Sequence, residues 1–247
     1  MDKLTFIGFA IALLAVVGGF MAEGGPIGTL FQLPAFLIVF GGTLGAVMLQ
    51  STMSQFAHGL LMLKWVVFPP DLSISRGIDQ ICYWAGEARQ HGFLILEAQA
   101  LDEGDTFTAK GLNLLVDGVE PDVLRDAMDI ELAMHQEHQE RCANIFQSMG
   151  GYSPTIGIIG AVLGLIQAMS HIQDPQMLAS GIATAFVATI YGVGFANFIF
   201  IPIANKLKHN IYRHTLYKQM LIEGMYSIAN GESPRSIEIK LSAYQLD

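Results

Sequence analysis

The stretch "AFVATIYGVGFANFIFIP", residues 185–202, carries no Asp, Glu, Lys or Arg and is apolar enough to live in a lipid bilayer. It nevertheless holds Thr189, Tyr191, Asn197, a set of small residues along one side and a terminal proline, Pro202. In hydrocarbon, polar groups and freed backbone carbonyls must find partners inside the protein, so these residues point to a neighbouring helix or a lined path. Extended to 179–203, the stretch has three counterparts at 4–22, 31–49 and 156–172, none of them with a charged residue. A helix of roughly 17–25 residues crosses the bilayer core. The pattern predicts an all-α membrane protein with four transmembrane helices in two hairpins.

Composition agrees. Charged residues make up 14% of the 247-residue chain and hydrophobic ones 52%, against about 25% charged in a typical soluble domain. The hairpin loops, 23–30 and 173–178, contain no Lys or Arg. The 13 basic residues are Lys3, six in the middle region (Lys64, Arg76, Arg89, Lys110, Arg125, Arg141) and six in the tail (Lys206, Lys208, Arg213, Lys218, Arg235, Lys240). By the positive-inside rule, both termini and the middle region are expected in the cytoplasm. The first apolar run is longer than the core of a signal peptide and has no clean small-x-small site before Glu23, so it is expected to stay as a span. A net charge of −9 without a basic cluster argues against nucleic acid. Cys82 and Cys142 fall in the expected cytoplasmic part, outside any CxxC or Cys/His ligand pattern, and are read as buried thiols.

The expected domains are a first hairpin (1–50), a cytoplasmic helical domain (51–153), a second hairpin (154–205) and a cytoplasmic tail (206–247). Within the cytoplasmic domain, Phe56, Leu60, Leu63 and Val67 mark a helix that Pro69-Pro70 ends. Asp71 or Ser73 can cap the next helix, striped by Ile74, Ile78, Ile81 and Ala85, with Gly92 as its stop. A helix from Phe93 to Ala100, a loop "LDEGDT" (101–106), a helix over 106–116 and a turn at Asp117-Gly118 follow. Pro121 suits the first turn of a long polar helix (122–149) that runs into the third span. His135 and His138, with Glu131 and Glu137, read as its solvated face and not as a metal site. No metal or cofactor is expected.

Small residues line one side of both later spans: Pro154, Gly157, Ala161, Gly164 and Ala168 in the third, and Ala185, Thr189, Gly192 and Ala196 in the fourth. Close helix packing accounts for the glycines and alanines as well as any functional reading does. Pro154 and Pro202, near the cytoplasmic ends of their spans, either bend the helices or gate a passage. The spans hold no carboxylate, whereas membrane ion relays normally use one. Either the protein conducts nothing or a partner subunit supplies the titrating group.

Four segments, "IVFGGTLGA" (38–46), "EARQHGFLILE" (87–97), "YSPTIGIIGAVLGLI" (152–166) and "GIATAFVATIYGVGFANFIFIPIANKL" (181–207), resemble MotA/PomA-type bacterial flagellar stator subunits, and the resemblance runs along the whole chain. It implies a pentamer in the bacterial inner membrane, built around a dimer of a MotB-type single-span subunit that carries the ion-binding aspartate. It also implies torque on the rotor protein FliG. The family's rotor-facing arginine and glutamate fall on Arg89 and Glu97, its two functional prolines on Pro154 and Pro202, and its fourth-span threonine on Thr189. Sodium-driven relatives also have a third-span threonine, where this chain has Ala161 in "IGAVLG". The missing hydroxyl favours H+ over Na+ as the coupling ion.

Three other functions compete. A passive channel would need polar or charged groups of its own within the spans. A TolQ/ExbB-like energiser of outer-membrane processes would typically have three spans and no Arg/Glu pair. An enzyme would need a phosphate-binding loop, zinc motif or catalytic triad, and the sequence has none of these.

Overall fold

The computed structural model describes residues 3–70 and 72–245. They form α-helices joined by short 3-10 and π turns, with no strand among the described residues. Four helices are long and apolar enough to cross a membrane. They form two hairpins flanking a large helical segment between the second and third.

The chain divides into two compact units. The first comprises the chain up to Pro69 together with Gln139–His209. Its opening span, α1 (Lys3–Ala22), has no buried residue from Leu4 onward. The second span is built from α2 (Leu33–Phe36), a π turn (Leu37–Gly41) and α3 (Gly42–Gln50). Ala35, Val39, Thr43 and Val47, four apart, form its fully buried side. Thr52 caps α4 (Met53–Met62) in a reciprocal box with Gln55, and the single turn α5 (Lys64–Val67) follows.

The second unit comprises Pro70–His138 and Asn210–Asp247. Of the two expected caps, Asp71 lies outside the described residues; the Ser73 hydroxyl accepts from the Arg76 N–H and starts α6 (Ile74–His91). Gly92 ends that helix at φ +81°, in the left-handed region that favours glycine. A 3-10 turn (Phe93–Ile95) leads into α7 (Leu96–Asp102), so the helix takes in Leu101 and Asp102 and the expected loop shortens. The Asp105 carboxylate caps α8 (Thr106–Val116).

The long helix α9 (Pro121–Ser170, 50 residues) runs without interruption through Pro154 and belongs to both units. The fourth span is α10 (Pro175–Phe195), a π turn (Ala196–Phe200) and α11 (Ile201–Ala229), which continues far beyond Pro202. A short helix, α12 (Pro234–Leu241), closes the chain against α6. In the second unit the core is apolar, with Ile81, Trp84, Phe107, Leu112, Leu124, Met128, Met220 and Met225 all nearly inaccessible.

Candidate functional site: the second hairpin and the α6–α7 tip

Spans three and four approach through their smallest residues. A methyl group placed on Gly192 would lie 2.7 Å from the Ser153 carbonyl oxygen and 3.0 Å from the Gly157 Cα. One on Gly164 would lie 2.8 Å from the Ala185 nitrogen, and one on Gly181 2.8 Å from the Ala168 Cα. The seam therefore runs through Gly157, Gly164 and Ala168 on one helix and Gly181, Ala185, Ala188 and Gly192 on the other. For these residues, close packing is the answer.

Thr189 is not in the seam. It sits one position beyond Ala188, is exposed, and its hydroxyl makes only a 3.3 Å bond to the Ala185 carbonyl of its own helix. Ala161 is half-buried, one residue beyond Gly160, whose added methyl would touch the Ala188 side chain. The two positions thus lie at the same level of the helix pair. Phe186, Ile190, Val193 and Asn197 share the exposed side of the fourth span with Thr189. An exposed apolar helix face that carries a hydroxyl and an amide has the makeup of a helix-binding surface.

The backbone is loosened next to Pro202, where a π turn interrupts the fourth span, whereas α9 runs through Pro154 without a break. Ser153, fully buried and preceding Pro154, donates from Oγ to the Gly192 carbonyl at 2.6 Å. Asn197 donates its amide to the Val193 carbonyl at 3.0 Å. These two carbonyls share the Ala196 N–H where the π turn begins. Two residues past that turn is Pro202, which has no N–H and cannot complete an α-helical bond. A wider turn with side-chain donors on its carbonyls is how a charge-free helix accommodates the proline. Pro154 is half-buried and Pro202 exposed.

At the opposite end of this span, a polar lock ties it to the first hairpin. Tyr191 donates its hydroxyl to the Leu30 carbonyl at 2.5 Å and accepts from the Gln32 N–H at 3.3 Å, while Thr184 donates to Gln32 Oε1 at 2.7 Å. Tyr191 also stacks on Phe195, their centroids 5.6 Å apart, and Phe36 meets Phe195 edge-on. The sequence reading missed this lock, as well as Thr43, whose fully buried hydroxyl has no hydrogen-bond partner among the described residues. A Gln at the start of one span and a Tyr in another are its only sequence signals.

In the second unit, Arg89 lies in the last turn of α6 and Glu97 in the first turn of α7, on either side of Gly92. Both are exposed, and neither forms an ion pair or hydrogen bond among the described residues. Elsewhere in the unit Lys110 pairs with Glu131, Arg125 with Glu223, and Lys240 with Glu223 at 2.6 Å. His135 lies 3.9 Å from Glu131, and no group of His, Cys, Asp or Glu able to hold a metal occurs among the described residues.

Comparison with known proteins shows what this arrangement belongs to. Residues 6–83 match the "Motility protein A N-terminal" family model and 99–220 the "MotA/TolQ/ExbB proton channel family". The chain is 35% identical to Motility protein A of Bacillus subtilis, over 99% of this chain and 91% of that one. The chain belongs to the MotA/PomA family of flagellar stator subunits. It is also 34% identical to Chemotaxis protein PomA of Vibrio alginolyticus, over 94% of this chain and 93% of that one. Its fold matches the solved C. jejuni MotAB structure (TM-score 0.93, 31% identity, 99% of this chain and 96% of that one). It also matches the flagellar MotAB stator complex of Bacillus subtilis (TM-score 0.90, 34% identity, 98% and 96%). The protein is a multi-pass inner-membrane stator subunit that couples ion flow to torque.

Proposed function

We propose that this MotA/PomA-family chain works as a pentamer around a MotB-type partner whose single-span helix supplies the ion-binding carboxylate. The observation that carries this reading is the fourth span. It offers Thr189 and Asn197 on an exposed face while holding no Asp or Glu of its own. In the proposed arrangement, hairpins 1–50 and 154–205 lie in the membrane. Segments 51–153 and 206–247 and both termini lie in the cytoplasm, as the distribution of Lys and Arg favours.

The coupling ion in this reading is the proton. A sodium ion must exchange its water for several oxygen ligands, whereas a proton needs a carboxylate and a hydrogen-bonded route. Thr189 offers one hydroxyl; Ala161, at the same level, offers none. Pro154 and Pro202 flank the route, Pro202 beside the π turn of the fourth span, where the helices can change their bend as the partner's carboxylate changes charge.

Arg89 and Glu97 meet the rotor protein FliG through opposite charges. Their exposure beside the Gly92 turn and their lack of partners among the described residues support this role. Exposed ion pairs contribute about 0–1 kcal/mol each, so neutralising either residue should reduce motor torque only in part. Reversing both (Arg89→Glu with Glu97→Lys) should abolish swimming at normal membrane levels, and matching reversals in FliG should restore it. Unchanged torque in the double reversal would place the rotor contact elsewhere.

A further inference from the structure

Within the first unit, a groove opens between α1 and the fourth span at the end where Pro202 lies. Leu4 of α1, Val67 of α5 and Ile203 of α11 help to bound it, and it encloses about 560 Å³. Phe9, Phe198 and Ile199 also line a second stretch of about 430 Å³, which carries the groove on to Val17 and Leu30. From Leu4 to Val17, α1 rises roughly 20 Å at about 1.5 Å per residue. That is somewhat more than one leaflet of a hydrocarbon core roughly 30 Å thick. The polar lining is confined to one end. Thr5 and Lys206 are the polar residues of the first part. Tyr191, in the second, has its hydroxyl engaged with Leu30 and Gln32. Lys206 lies four residues beyond Pro202 and is half-buried. A lysine so placed at a membrane boundary lays its stem on apolar surface and keeps its ammonium at headgroup level. Lys64, exposed, stands on the single turn α5 beside Val66 and Val67, which line the same end.

We propose that this groove is a binding site for one anionic phospholipid, with its phosphate at Lys206 and an acyl chain along Phe9, Phe198 and Ile199. Basic pockets between membrane spans are where anionic headgroups bind. A span from a second copy of this chain could fill the apolar part, but it brings no acid to Lys206, because none of the four apolar stretches carries one. A phospholipid supplies the anion and the apolar chain together. The chain rests on two residues of the π turn (Ala196–Phe200) next to Pro202. The lipid thus covers the part of the fourth span whose backbone leaves the α-helical path. The site is independent of the coupling ion and of the rotor contact. From the reading above it takes only the orientation that makes this the cytoplasmic leaflet.

The test uses the stator complex with its partner subunit in phosphatidylcholine nanodiscs. A trace of phosphatidylglycerol or of phosphatidylcholine, each with a photoreactive group in the middle of one acyl chain, serves as the probe. The two leaflets of a nanodisc are alike, so the readout does not depend on orientation. Mass spectrometry should find the phosphatidylglycerol probe on peptides containing Phe9 and Phe198. Unlabelled phosphatidylglycerol should displace it, and phosphatidylcholine should not. Lys206→Gln should reduce this labelling roughly fivefold, the weight of one basic residue at an anionic surface, and Lys206→Arg should retain it. Gly8 lines the first part of the groove, and a methyl placed on it meets nothing within 4 Å. Gly8→Leu should therefore fill the groove and abolish labelling at normal membrane levels. Gly18→Leu, equally unhindered on α1 but outside the groove, should leave labelling intact. Equal labelling by the two probes, unchanged in Lys206→Gln, would overturn the site and leave only bulk lipid. A photo-crosslinking residue at position 8 that captures a second copy of this chain would overturn it in favour of a subunit contact.

Discussion

In the membrane hairpin, Gly157 and Gly192 bring two helix backbones so close that a methyl on Gly192 would lie 3.0 Å from the Gly157 Cα. In the second unit, α8, α9 and α11 are instead joined by long side chains. Arg125 pairs with Glu223 and lies 4.4 Å above the Tyr226 ring, and Lys218 lies 4.4 Å above Phe107 and 3.9 Å from Asp105. The difference follows from the solvent. Lipid provides no hydrophobic drive between helices, so spans associate through close van der Waals contact and shared hydrogen bonds. Water provides that drive and solvates the charged rim, so the helices of the second unit pack through side chains around Trp84 and Met128. The seam of the first region tolerates no added bulk, while its helices accommodate prolines. The second tolerates surface change but depends on which charges remain unpaired.

The largest effect to expect from breaking this contrast is at Gly192. Gly192→Ala sets a methyl against backbone atoms of Ser153, Pro154 and Gly157, which have nowhere to move. Overpacking of this kind costs about 1–3 kcal/mol or more, and assembled stator in the membrane should fall sharply. Gly194→Ala, whose methyl meets nothing within 4 Å, should accumulate normally. Immunoblots of membrane fractions compare the two, and equal levels would refute the packed seam.

Pro154 should separate motion from assembly. Its replacement by alanine restores a regular helix, a local gain of up to ~3 kcal/mol. Pro154→Ala should therefore keep normal membrane levels and partner binding while swimming is lost. Protein lost in parallel with motility would assign the residue to packing instead.

A smaller effect is expected in the second unit, at His214. Burial, with the Lys218 charge beside it, holds the imidazole below its usual value of 6.5 despite Asp105. The folded state therefore binds a proton less readily than the unfolded one. The stability associated with neutral His214 is complete above pH 6.5 and is lost as pH falls from there through the lower folded value. His214→Gln should flatten that decline in thermal unfolding of the solubilised complex. An unchanged pH slope would remove His214 as its source.

What the sequence disclosed follows the same division. The spans were legible because hydrocarbon forbids charge, and 4–22, 31–49, 156–172 and 179–203 have none. The helices of the second unit were legible where caps are local: Ser73, Gly92 and Pro121 all act where expected. The seam itself was not. Positions 185, 189, 192, 196 and 185, 188, 192, 196 both fit a helical face, and only the facing helix selects Ala188 and turns Thr189 outward. The π turn of the fourth span was hidden as well, because it depends on where Ser153 and Asn197 find carbonyls. The tail beyond Pro202 proved helical to Ala229, carried by Leu207, Ile211, Leu221, Met225 and Ile228. That stripe was present in the sequence but overshadowed by the proline that precedes it.

The central claim is that the spans provide a path but not its titrating group. It is tested most directly by ion uptake into liposomes containing this chain alone or with its partner subunit, under an imposed negative-inside potential and with a pH-sensitive dye inside. Acidification should require both subunits, vanish when the partner's span aspartate is replaced by asparagine, and be the same in sodium and potassium buffers. Acidification by this chain alone would contradict the claim that the carboxylate lies outside it, and uptake that follows external sodium instead would contradict the proton assignment.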